Sequence, residues 1–125
     1  MLYSTVGSYG VPALVRTTRK FAFQRHIAHL KPDRSALDPE FLCAMLASPS
    51  LKRQADAAAR GMAQKTVNLA DIREYKVFHP PMDVQRAFVQ TASAAQSLRV
   101  RNAEAFDKLA SLFSSLQHRA FRGEL

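Results

Sequence analysis

The sequence predicts an α+β protein: a small mixed body of short strands and two short helices, followed by one long coiled-coil-forming helix. Three observations predict it. Short β-prone runs bounded by glycine and proline fill the first thirty residues. Two Asp/Ser-Pro helix starts, Asp38-Pro39 and Ser48-Pro49, follow in the middle. After Pro80-Pro81 an unbroken helical pattern runs to about Ala120. The boundaries are accordingly 1–82 for the body and 83–125 for the helix.

Leu2 to Val6 and Val11 to Thr17 read as two strands joined through Gly7-Ser8-Tyr9-Gly10, where the glycines supply positive φ or a close backbone approach. A basic turn follows at Arg16-Thr17-Thr18-Arg19-Lys20. Phe21, Phe23 and Ile27 then alternate with polar or small residues, a third strand that runs to about Leu30 and stops before Pro32. Asp38 caps a helix with Pro39 in its first turn and Phe41, Leu42, Met45 and Leu46 on its buried face. Ser48-Pro49 begins a second helix, expected to reach Arg60 with Gly61 as C-cap. A polar loop from Met62, a turn at Asp71-Ile72-Arg73 and a strand from Tyr75 to Phe78 complete the body.

The final helix carries an a/d seam: Phe88, Ala92, Ala95, Arg99, Asn102, Phe106, Leu109, Phe113 and Leu116, with Ala120 beyond. Such a helix is roughly 57 Å long at ~1.5 Å per residue. A body of this size cannot cover its stripe, so the seam predicts a second helix. Arg99 and Asn102 interrupt it, and polar seam residues set register at a cost in stability. Asp83 near the start and Arg119 and Arg122 near the end suit the helix dipole.

The chain has 125 residues and a net charge of +8. Residues 1–82 hold 12 basic and 6 acidic residues, and the first 37 residues hold 6 basic residues against the one acid Asp33. That bias suits a polyanion such as nucleic acid, although a solvated basic surface has the same composition. The lone Cys43 lies in an apolar helical run, which excludes an internal disulfide framework and reads as a small buried hydrophobe. No zinc ligand set, nucleophilic triad motif or glycine-rich dinucleotide fingerprint is present, and neither a metal nor a cofactor is expected. His26 and His29, three apart on a strand, point to opposite faces, and His79 and His118 have no visible partner. The start lacks a signal-peptide pattern and no run reaches membrane-spanning length, so a cytoplasmic protein with no membrane partner is expected.

Two stretches suit contact with DNA. Gln64-Lys65-Thr66 offers an amide, an ammonium and a hydroxyl after a helix end: Gln pairs with adenine, and Lys reaches guanine or phosphate. An ordinary solvated turn, or a Gln64 that only braces the fold, accounts for the same residues. Arg16, Thr17, Thr18, Arg19 and Lys20, with Arg25 in the next strand, combine hydroxyls and cations that suit phosphate oxygens, as would a soluble hairpin tip.

An ordered series of segments resembles the specificity subunit of type I restriction–modification systems. The series is Ser4-Thr5-Val6-Gly7-Ser8-Tyr9-Gly10, Phe21-Ala22-Phe23-Gln24-Arg25-His26-Ile27, Gly61-Met62-Ala63-Gln64-Lys65-Thr66-Val67-Asn68-Leu69, Pro80-Pro81-Met82-Asp83-Val84-Gln85, and Ala120-Phe121-Arg122-Gly123-Glu124-Leu125. The resemblance implies a non-catalytic subunit in which target-recognition domains each read half of a split double-stranded DNA site. Long helices there pair antiparallel as a spacer and dock methyltransferase subunits, which the restriction subunit joins. The chain resembles only the later half of one recognition domain plus its helix, without the family's early tryptophan-bearing segment, and it contains no Trp. It is therefore expected to be a C-terminal fragment, a truncated gene product or one piece of a split subunit, pairing with a second recognition domain or with its own copy. The competing expectation is a helix-pairing interaction module that no longer recognises DNA.

Overall fold

The computed structural model describes all 125 residues. It is α+β, in the element order β1 (Leu2–Ser4), β2 (Pro12–Ala13), β3 (Ile27–His29), α1 (Pro39–Leu46), α2 (Pro49–Ala58), α3 (Leu69–Arg73) and α4 (Met82–Phe121). The chain divides into two compact units, Met1–Val89 and Gln90–Leu125.

In the first unit the strands form an antiparallel sheet of order β2-β1-β3. Tyr3 sits at its centre and faces Pro12 on one side and Ala28 on the other. Two small neighbours leave room for the phenol ring to point into the core with Leu42, Leu46 and Leu51. Tyr75 packs edge-on against it, with ring centroids 6.3 Å apart. Both hydroxyls are buried without a hydrogen-bond partner, and burial pushes both phenol pKa values up. Gly7 and Gly10 adopt positive φ, as the turn between β1 and β2 requires. A Cβ at Gly10 would stand 3.6 Å from the Tyr3 hydroxyl.

Both expected helix starts form. The Asp38 carboxylate accepts from the N–H groups of Glu40 and Phe41, and the Ser48 hydroxyl accepts from that of Leu51. Cys43 is partly buried, and burial pushes its thiol pKa up, which disfavours the reactive thiolate.

Several elements differ from the sequence reading. β2 is confined to Pro12–Ala13: Ala13 already faces Leu2, so residues 14–17 run past the strand they would join. β3 is shorter than expected because the Ile27 N–H donates to Gln24 O at 3.1 Å, a turn that interrupts the extended run. α2 stops at Ala58, since Ala59 is extended and Arg60 exchanges both backbone hydrogen bonds with Thr66. Gly61 is therefore a turn residue rather than a cap. The turn at Asp71–Arg73 is part of a third short helix, α3. Tyr75 to Phe78 forms no strand. The Gln54 amide takes the place of a strand partner there, accepting from Lys76 N–H at 2.8 Å and donating to Lys76 O at 3.1 Å. His79 does have a partner, with Nε2 2.8 Å from Ala36 O.

The first two turns of α4 belong to the same unit. Gln85 is completely buried and its amide is saturated. Oε1 accepts from Asp38 N–H at 2.9 Å, while Nε2 donates to Ala36 O at 2.9 Å and to Pro80 O at 2.8 Å. Phe88 meets Phe41 edge to face at 5.5 Å. The second unit, Gln90–Leu125, is the rest of α4 with a short non-helical end, and each of its residues is exposed. No helix is long and apolar enough to cross a membrane.

Candidate nucleic-acid interface

The loop after α2 is closed by backbone hydrogen bonds. Arg60 and Thr66 pair through backbone bonds of 2.8 and 2.9 Å, and Gly7 N–H donates to Lys65 O at 3.0 Å. Gly61 has φ +113°, and a Cβ there would stand 2.4 Å from the backbone oxygen of Gln64. No other residue type fits that backbone without distortion. The Gln64 amide lies over Gly7, where a Cβ would approach Nε2 to 3.3 Å. Gln64 and Lys65 are exposed, and Thr66 is half-buried in the bridge that closes the loop.

Thr5 joins this loop to the segment before β3. Its N–H donates to His26 O and its carbonyl accepts from Val67 N–H, each at 2.9 Å. Residues 65–67 thus extend the sheet edge that β3 begins. Arg25 and Thr66 each lie one residue from a Thr5 partner, so the structure brings Arg25 and Gln64-Lys65-Thr66 to the same end of β1.

The other basic stretch leaves from the opposite end. Ala13 pairs with Leu2, and the chain continues from there into Arg16–Lys20, all exposed. Arg16 pairs with Glu40 at 2.9 Å, and the Thr17 hydroxyl accepts from Arg19 N–H at 3.1 Å. Arg19 and Lys20 line a cleft with Val15, Phe21, Phe23 and His29. A neighbouring cleft adds two cations that the sequence did not single out, Lys31 and Arg34. They lie on the stretch between β3 and α1, and chain position alone does not reveal that they share a cleft with Arg16.

Three body cations are paired: Arg16 with Glu40, Lys52 with Asp56, and Arg60 with Asp71. Arg19, Lys20, Arg25 and Lys65 make no ion pair. Asp56 accepts from both Lys52 and the Tyr9 hydroxyl, and these bonds hold its carboxyl below the usual range. The Lys52 ammonium also lies 4.1 Å from the centre of the Tyr9 ring. The exposed surface near the sheet therefore keeps excess positive charge outside these local pairs.

In the second unit, Ala92, Ala95, Arg99, Asn102, Phe106, Leu109, Phe113 and Leu116 are all in solvent. Leu98 and Leu112 are exposed as well and lie beside the seam, which broadens the apolar stripe beyond strict a/d positions. Phe88, the first seam residue, lies in the other unit against Phe41.

The structure thus defines a small basic α+β domain continued by a long amphipathic helix. The whole chain is similar to the type I restriction enzyme EcoBI specificity subunit of Escherichia coli, with 29% identity over 129 aligned positions that cover 100% of this chain. The chain spans 27% of the length of that relative. The resemblance drawn from the ordered segments is borne out by this end-to-end likeness. No family model matches the chain, and no solved structure matches it.

Proposed function

We propose that this chain is a non-catalytic DNA-recognition element of a type I restriction–modification assembly. The observation that carries the reading is the similarity of the entire chain to a type I specificity subunit. The pinned loop with exposed Gln64 and Lys65 supports it physically, because a base-reading amide works best when its backbone is already fixed. In this reading Gln64 addresses a base edge, while Lys65 and Arg25 hold phosphates at one end of β1. Arg16, Thr17, Thr18, Arg19 and Lys20 provide further backbone contacts. The exposed seam of α4 pairs with the helix of a second recognition domain or of a second copy, and helps dock the methyltransferase and restriction subunits in the cytoplasm.

Anisotropy of a labelled DNA duplex titrated with the full chain across a salt series tests the reading. Affinity should fall steeply with salt, and Lys65→Gln should reduce the magnitude of the log–log slope by about one. An absence of duplex binding at low salt overturns the proposal. The exposed apolar residues of α4 favour a second reading, a helix-pairing module without DNA recognition. A chain that self-associates yet ignores duplex supports that alternative.

A further inference from the structure

Met62 occupies the tip of the pinned loop and is 106% exposed, more than any other large apolar side chain in the molecule. Its neighbours explain how it is held there. Arg60 and Thr66 close the base of the loop with two reciprocal backbone bonds. Gly61, at φ +113°, folds the chain so tightly that the Gln64 carbonyl occupies the space of a Cβ. The outward course of the chain at Met62 is set by the backbone and not by any contact of the side chain. Two residues on comes Gln64 and then Lys65, both exposed.

We propose that Met62 is a specificity-determining residue that contacts the C5-methyl group of a thymine in the DNA major groove. This rests on the DNA-recognition reading above. The argument is one of matched chemistry within a single loop. An A·T pair displays, on its major-groove edge, the adenine N6/N7 pair that suits a Gln amide and the thymine methyl that suits an apolar side chain. Lys65 supplies a cation for the adjoining phosphate. Methionine is unbranched and polarizable, so it follows an irregular apolar surface better than a branched residue would. An apolar side chain held clear of the protein on a preformed turn loses little conformational freedom of the backbone on binding.

The test uses the full 125-residue chain. Duplexes are enriched from a random-sequence pool, and each thymine of the enriched sequence is then replaced singly by deoxyuridine, which removes only the methyl group. At one position the native chain should lose about fourfold in affinity, the worth of one buried methyl-sized group. Met62→Ala should bind the thymine duplex about as weakly as the native chain binds the deoxyuridine one, and should not distinguish the two. Met62→Leu should keep part of the discrimination. Circular dichroism of both variants should match the native chain, because the side chain is fully in solvent. Enrichment without a deoxyuridine effect, or an equal effect in Met62→Ala, overturns the Met62 assignment alone. A pool that yields no enriched sequence overturns base reading and Met62 together.

Discussion

The two units use the same apolar vocabulary to opposite ends. In Met1–Val89, strands only two or three residues long and three short helices gather Tyr3, Ala28, Phe41, Leu42, Leu46, Leu51, Ala55 and Val67 out of water. In Gln90–Leu125, one helix satisfies its own backbone and buries no side chain at all. Short elements survive in the body because they are capped and packed; α1 is 8 residues long and would be marginal alone. The second unit has length in place of packing, and its Phe106, at 71% exposure, and Phe113, at 63%, remain in solvent. Each such side chain left in water forgoes about 1.5–3 kcal/mol of burial. The body thus holds a packed core, while the helix beyond it is complete in its hydrogen bonds and incomplete in its packing.

The sharpest break of that contrast is Phe106→Asp with Phe113→Asp. If these residues bury against a partner helix, the pair should cost about 3–6 kcal/mol of association. Sedimentation equilibrium should then show a monomer at concentrations where the native chain pairs. Urea unfolding of the body should stay within about 0.5 kcal/mol of native, since exposed substitutions away from the core cost little. Association that survives both charges would place the pairing face elsewhere.

The converse substitution is Gln85→Ala. It leaves Asp38 N–H and the Pro80 carbonyl without a partner, while the Ala36 carbonyl keeps only His79 Nε2. Buried groups stripped of partners cost about 1–3 kcal/mol each, so a loss of about 3 kcal/mol in urea unfolding is expected even after partial rehydration. Association through the second unit should be unaltered when the body is kept folded at low temperature. A loss under 1 kcal/mol (about one ordinary hydrogen bond) would mean that water replaces the amide freely.

How much of this was legible in the sequence depended on whether a local signal existed. Asp38-Pro39 and Ser48-Pro49 announce helix starts because capping is a contact between near neighbours, and both caps form. The periodicity that predicts the long helix is equally local, and α4 begins at Met82. Strand lengths were not legible. Residues 14–17 and 21–26 are β-prone in residue type, but ladder partners are set by distant chain segments. The Gln54 amide that takes the place of a strand beside Lys76 is 22 residues away and leaves no periodic trace. Gln85 is a polar residue in an amphipathic helix, and nothing nearby distinguishes it from a solvated one. Its one distinguishing mark in the sequence is its place at the end of the family-like segment Pro80–Gln85. The candidate site was legible as residue types, yet the meeting of Arg25 with Gln64-Lys65-Thr66 at Thr5 follows from sheet pairing alone.

Within the helix, Asn102→Leu tests whether incomplete packing is also a device for alignment. An apolar residue at this seam position should strengthen pairing by about 1 kcal/mol, on the scale of one added buried group. It should also relax register, which disulfide trapping of introduced cysteine pairs would detect as several cross-linked alignments. Unchanged association and a single trapped alignment would show that Asn102 does not set register.

The smallest effect belongs to the body's surface and carries its own sign. Asp56 has a lowered pKa because it accepts from Lys52 first and Tyr9 second. The native state therefore binds its proton less readily than the unfolded chain does. The stabilisation is present above the unfolded pKa and disappears as pH falls through the lower, folded one, below about pH 4. Tyr9 runs the other way. Its pKa is raised, chiefly by the bond to Asp56, so its contribution is intact below about pH 10 and is lost as pH climbs through the folded value. One exposed carboxylate thus links an acid and an alkaline loss of stability. Asp56→Asn should flatten both arms of the melting-temperature profile, whereas Asp33→Asn, whose carboxyl is lowered by the Ser35 hydroxyl and then by the Ser35 N–H, should flatten only the acid arm. High salt should weaken the Lys52–Asp56 contribution in the native chain, as expected of an exposed pair. An Asp56→Asn profile with an unchanged alkaline arm would show that the Tyr9 bond is not maintained in solution.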